Sequence, residues 1–93
     1  MNEHPRQVDA RYEVADELYQ KGYDVVVSHD KGGHVDVVAL SNTHVKLILV
    51  RYDREATSAE KEALVYYKAP KGHTQREIWT KTRAQKVWRV EVL

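Results

Sequence analysis

Asp36 stands in the segment His34-Val35-Asp36-Val37-Val38-Ala39-Leu40. A carboxylate among Val35, Val37 and Val38 needs a partner, because burying a lone charge is costly. His34 lies two residues earlier and shares a face with Asp36 if the segment is a strand, so a His/Asp metal pair is conceivable. No regular ligand spacing links His29, His34 and His44, which read more simply as surface or loop histidines. Ser28-His29-Asp30 has the residue types of a hydrolase triad, but three consecutive residues cannot adopt its geometry.

A second chemistry is carried by charge. The 93 residues hold 15 Lys and Arg against 14 Asp and Glu, a formal net charge of +1. The total hides an asymmetry: residues 1–50 sum to −3 and residues 51–93 to +4. Between Lys68 and Arg89 seven basic residues face a single acid, Glu77. Lys68, Lys71, Arg76, Lys81, Arg83 and Lys86 flank a turn and a strand pair and could contact several phosphates. There is no aromatic cluster of the kind that reads single strands; Trp79 is one candidate platform. Trp88 reads as a core anchor.

Other classes drop out. With no cysteine, disulfides, Cys-based zinc sites and thiol catalysis are excluded. The longest apolar runs, Val37–Leu40 and Leu47–Val50, are far too short to span a bilayer. The polar start, Met1-Asn2-Glu3-His4-Pro5, is no signal peptide, and the expectation is a soluble, cytoplasmic protein. A chain of this length makes one domain, residues 1–93, burying roughly 60–68% of its unfolded surface.

The elements that must position these residues follow from periodicity. A first helix is expected over about Gln7–Lys21, with Val8, Tyr12, Ala15, Leu18 and Tyr19 on its apolar side and Gly22 ending it. Strands are expected at Tyr23–Ser28, His34–Leu40 and Val45–Tyr52, with a glycine loop after the first. The third is apolar on both faces, as in a central strand. Thr57 or Ser58 can cap a second helix, although Ser58 followed by Lys61 is not a capping box. Ala63, Leu64, Tyr66 and Tyr67 give that helix an apolar side, and Pro70-Lys71-Gly72 ends it. Strands at about Gln75–Thr82 and Lys86–Leu93 close an α-β-β-β-α-β-β order. This is an α/β domain with a small mixed β-sheet flanked by helices, its first three strands antiparallel.

The run from Gly22 through His34-Val35-Asp36-Val37-Val38-Ala39-Leu40 to Val50-Arg51-Tyr52 resembles the PD-(D/E)xK nuclease superfamily, and within it the archaeal Holliday-junction resolvases. The closing Trp88-Arg89-Val90-Glu91-Val92 is also similar. The resemblance implies a restriction-endonuclease-like fold, an endonuclease scaffold that hydrolyses phosphodiesters, Mg²⁺ as cofactor, DNA such as a four-way junction as partner, and a homodimer. It makes Asp36 the first metal-binding aspartate. The Glu-x-Lys that should follow on the next strand reads Leu49-Val50-Arg51. Leucine cannot bind a metal, and arginine stays protonated where the family's lysine can release its proton.

A migrated acid could come from Asp53, Glu55, Glu60 or Glu62. Asp53 shares strand parity with Leu49 but lies about 13 Å further along. The family's glutamate on the first helix falls, by ungapped count from Gly22, on Arg11; Glu13 is the nearby candidate, but points nearly opposite the apolar face. The expectation is therefore a binding protein for structured DNA on an eroded nuclease scaffold, with Asp36, Arg51 and Glu13 as its remaining catalytic-type residues. The alternatives are an active Mg²⁺-dependent endonuclease with a relocated acid, and a non-catalytic subunit of a nuclease complex.

Overall fold

In a computed structural model, residues 5–28, 34–69 and 72–93 are described, with side chains of the first helix from residue 9 onward. The order is α1 (Pro5–Gln20), β1 (Asp24–Val27), β2 (Val37–Leu40), β3 (Val45–Tyr52), α2 (Ser58–Val65), β4 (Thr74–Lys81) and β5 (Arg89–Val92). The strands form one five-stranded sheet in the order β1-β2-β3-β4-β5. β1, β2 and β3 pair antiparallel, as their short connections require. β3 and β4 run parallel, joined by a crossover through α2, and β5 returns antiparallel on β4. Among the described residues no helix is long and apolar enough to cross a membrane.

The run Leu47-Ile48-Leu49-Val50 is buried along its whole length because a helix covers each face of the sheet. Ile48 and Val50 join Val37, Ala39 and Trp79 beneath Ala10, Val14, Ala15 and Leu18 of α1. Leu47 and Leu49 join Val35 and Ile78 beneath Leu64 of α2.

Two helix faces differ from expectation. Tyr12 and Tyr19 are 49% and 63% exposed. The buried stripe of α1 is instead Ala10, Arg11, Val14, Ala15 and Leu18, rotated so that small residues approach the sheet and the tyrosines line its flank. α2 ends at Val65, before Tyr66 and Tyr67, which are exposed, and only Leu64 of its expected apolar side is buried. The ending expected at Pro70-Lys71-Gly72 falls largely on residues 70–71, outside the described residues.

Both helix termini are chemically specified. Gly22, at φ 97°, lets the Tyr23 N–H reach the Leu18 carbonyl at 3.1 Å and its own N–H reach that of Tyr19 at 3.0 Å. That paired closure satisfies the last carbonyls of α1. Thr57 caps α2: its hydroxyl accepts from the Glu60 N–H at 3.1 Å, while Glu60 accepts from the Thr57 N–H at 2.9 Å. The capping box is thus present one residue earlier than the Ser58 register tested in the sequence.

Candidate functional site

Asp36 lies just ahead of β2, with only 3% of its surface exposed. Its backbone N–H donates to the Ile48 carbonyl at 2.8 Å. Its carboxylate Oδ2 accepts from the Val50 N–H at 2.8 Å. A side chain thereby stands where a strand neighbour would supply a backbone acceptor, which anchors the carboxylate at the end of the β2–β3 ladder.

Two arginines complete its surroundings. Nε of Arg11, from α1, lies 3.0 Å from Oδ1 of Asp36. Nη1 of Arg51, from β3, lies 3.0 Å from Oδ2. Arg11 and Arg51 are themselves 5% and 8% exposed. Arg11 also donates through Nη1 to the Ser28 carbonyl at 3.1 Å, and Arg51 through Nη1 to that of Val50 at 2.7 Å. The partner that Asp36 requires is therefore a pair of guanidinium groups.

The chain of charges continues outward. Arg51 donates through Nε to Oε2 of Glu60 at 2.9 Å and through Nη2 to the same oxygen. Arg54 adds contacts to Oε1 and Oε2 at 2.8 and 3.0 Å. Hydrogen bonds from Arg54 lead the causes that hold the Glu60 carboxyl well below the usual carboxylate range; those from Arg51 and the Thr57 N–H reinforce them against partial burial. Glu60 in turn raises the Arg54 guanidinium, chiefly by hydrogen bonding. The result is an alternating line, Arg11–Asp36–Arg51–Glu60–Arg54, running from α1 past the sheet end to the start of α2.

The Mg²⁺ implied by the sequence resemblance does not fit this donor set. Both oxygens of Asp36 are engaged by guanidinium or backbone N–H donors. The two positions where the sequence resemblance leads one to expect glutamate hold Arg11, ion-paired with Asp36, and Leu49, buried under α2. Among the described residues no three His, Asp or Glu side chains converge to hold a metal. Two guanidinium groups beside Asp36 also repel a dication.

Glu13 does not join Asp36. It is on the exposed side of α1, 2.5 Å from Lys81 Nζ and accepting from the Trp88 indole N–H at 3.1 Å. Lys81 lies over the Trp88 ring at 5.4 Å, so the three tie α1 to the far ends of β4 and β5. Of the possible migrated acids, Asp53 is paired with Arg83 at 3.3 Å and Glu55 with Arg89, while Glu62 lies exposed on α2. Glu60 alone is linked to Asp36 through a shared arginine. The signal that could have found it is the Thr57-x-x-Glu60 capping box, which fixes this glutamate at the helix start.

Among the described residues the ion pairs of Asp36 are to arginines and not to histidines. His34 is exposed, and His44 contacts the Tyr23 hydroxyl through Nε2 at 3.1 Å. His29 lies outside the described residues.

The basic residues divide between the two ends of β4. Arg76 donates to the carbonyls of Leu64 and Tyr67 at 3.0 and 2.7 Å, closing the C-terminal end of α2. Lys68 lies exposed near that same end, and Lys71 is outside the described residues. Lys81, Arg83 and Lys86 lie at the opposite end, roughly 17 Å from Arg76 at the usual strand rise. There Asp53, in the left-handed region at φ 62°, turns the chain after β3 and accepts from the Arg83 backbone N–H at 3.0 Å. Arg54, half-exposed beside that turn, joins Arg83 and Lys86 as a cation the basic run did not include. Trp79, the expected stacking platform, is 3% exposed and donates its indole N–H to Glu77, so it cannot meet a base.

No family model matches the chain, and neither does any curated protein. Among solved structures it is similar to Hjc of Archaeoglobus fulgidus, a Holliday junction resolvase from an archaeal hyperthermophile, with 19% identity and a TM-score of 0.76. The match covers 94% of this chain and 72% of that one. The mixed five-stranded sheet with its two helices thus has the fold of that resolvase.

Proposed function

We propose, from the premise of a resolvase fold, that this protein binds structured DNA, such as a four-way junction, without cutting it. The observation that carries the reading is the guanidinium of Arg51, held between the carboxylates of Asp36 and Glu60. Phosphodiester hydrolysis on such a scaffold needs a metal that neutralises phosphate charge and generates hydroxide. Here Arg11 and Arg51 are buried and paired with the carboxylates of Asp36 and Glu60, and neither can take a proton from water. The arrangement activates no nucleophile and leaves the contact with phosphate to exposed cations outside it.

Arg54, Arg83 and Lys86, exposed at the same end of the sheet, supply the outer contacts. Lys68 and Lys71, near the other end of β4, would reach phosphates only on a longer substrate. Because each phosphate contact releases counterions, affinity falls steeply with salt. A junction with two-fold symmetry favours a two-fold protein, so the binding unit is a homodimer. DNA as partner also agrees with the cytoplasmic location expected from the sequence.

The test is incubation with a four-way junction and with linear duplex, in Mg²⁺ or Mn²⁺, at graded salt. Salt-sensitive junction binding without cleavage is the expected result. Cleavage that a folded Asp36→Asn variant loses would overturn it in favour of a metal-dependent endonuclease whose second acid is Glu60. Absence of binding at low salt would overturn it in favour of a non-catalytic subunit of a nuclease complex.

A further inference from the structure

β5 is an edge strand with every residue from Arg89 to Val92 exposed. Val87, Val90, Val92 and Leu93 are 75, 43, 57 and 42% exposed. Exposed apolar edges are the ones natural proteins usually blunt or cover, since their free backbone groups template another strand.

The direction of those groups is fixed by one bond. The Leu93 N–H donates to the Arg76 carbonyl at 2.9 Å, so at Leu93 the backbone points toward β4. In an antiparallel ladder this alternates, so Glu91 and Arg89 also turn their backbone groups to β4. Trp88, Val90 and Val92 turn theirs outward.

From this geometry we infer that β5 pairs antiparallel with β5 of a second copy, about a two-fold axis between the two Val90 residues, making one continuous sheet across the dimer. That register is self-consistent in three ways. Val90 faces Val90 with outward N–H and C=O groups on both sides, as a hydrogen-bonded pair needs. Trp88 faces the partner's Val92, an aromatic with a β-branched side chain, on the α1 face. Arg89 faces the partner's Glu91 on the α2 face, twice by symmetry.

The charges beyond the strand extend the complementarity. Arg89 is paired with Glu55, and Glu91 with Lys61 at 3.4 Å. Across the axis the order becomes Glu55, Arg89, the partner's Glu91, the partner's Lys61, with signs alternating throughout. A slip by one residue would set Val90 opposite a charge, and a slip by two would set like charges or unpaired ones together. The occupant that this edge fits is therefore another copy of the same chain.

The inference rests on the dimer reading above, and one experiment separates the two. Arg89→Glu places Glu opposite Glu91, and Glu91→Arg places Arg opposite Arg89; each variant alone loses at least about tenfold in self-affinity, read by sedimentation velocity or light scattering. Mixing the two restores a heterodimer, because both cross-axis pairs are again of opposite sign. Val90→Pro removes the outward N–H without touching a bond to β4, and also weakens the dimer. A wild-type dimer that survives all three variants would overturn the β5 interface and leave the dimer standing on another surface. A wild-type protein that stays monomeric at high concentration would overturn both.

Discussion

Nη1 of Arg51 lies 3.0 Å from Oδ2 of Asp36, the same oxygen that accepts the Val50 N–H. Asp36 is thus hydrogen-bonded twice to adjacent residues of one strand and ion-paired with Arg11 of the helix above. Removing one partner of such a buried group is far more damaging than its net contribution suggests, because the remaining charges lose their compensation. Asp36→Ala is expected to destabilise the fold by about 3–5 kcal/mol. Urea denaturation of the variant against wild type measures it, and a loss under about 1 kcal/mol would show that Arg11 and Arg51 find water or other partners.

Glu60 makes stability depend on acid. Its carboxyl is held below its ordinary value in the folded chain. A depressed folded-state pKa contributes stability that is fully present above the unfolded value and is lost as pH falls toward the folded one. The stability curve should therefore decline below about pH 4.5, with Glu60 contributing through the whole acid limb. Glu60→Gln should be less stable than wild type at neutral pH and flatter below pH 4.5, as thermal melts across pH would show. Parallel curves would remove Glu60 from the acid response.

The capping box and the arginine line share Glu60. Thr57→Ala removes the hydroxyl that accepts the Glu60 N–H. Its expected cost is about 1 kcal/mol, measured by denaturant titration. Because Glu60 retains Arg51 and Arg54, DNA affinity should change little; a large drop in affinity would mean that the helix start positions the binding surface.

Two arginines of the same basic run should behave differently. Arg83 is exposed, whereas Arg76 holds the end of α2. Arg83→Ala should weaken junction binding and reduce the slope of log affinity against log salt by about 1. Arg76→Ala should leave that slope unchanged and lower stability by about 1–2 kcal/mol. The reverse pattern in fluorescence anisotropy would place the DNA at the other end of β4.

Much of the fold was legible because it is local. Gly22 stops α1, the double-sided apolar run of β3 requires cover on both faces, and short links force β1, β2 and β3 antiparallel. The need of Asp36 for a partner was legible too, as was an arginine at the position of Arg51. The site itself was only half legible, since Arg11 and Glu60 are each more than twenty residues from Asp36 in sequence.

By itself, then, the sequence determined periodicity, parity along each strand and the presence of a carboxylate that cannot stand alone. The tertiary structure decided which partners answer it. A helical wheel says which residues share a face, but not which of two faces turns inward. Close packing of Ala10, Val14 and Ala15 on the sheet settled that, exposing Tyr12 and Tyr19 and bringing Arg11 to Asp36. Packing of α2 on the opposite face set Glu60 against Arg51, and the length of β4 separated the basic run into two ends. Arg11 and Glu60 reach the line only once α1 and α2 have each packed on their own face of the sheet.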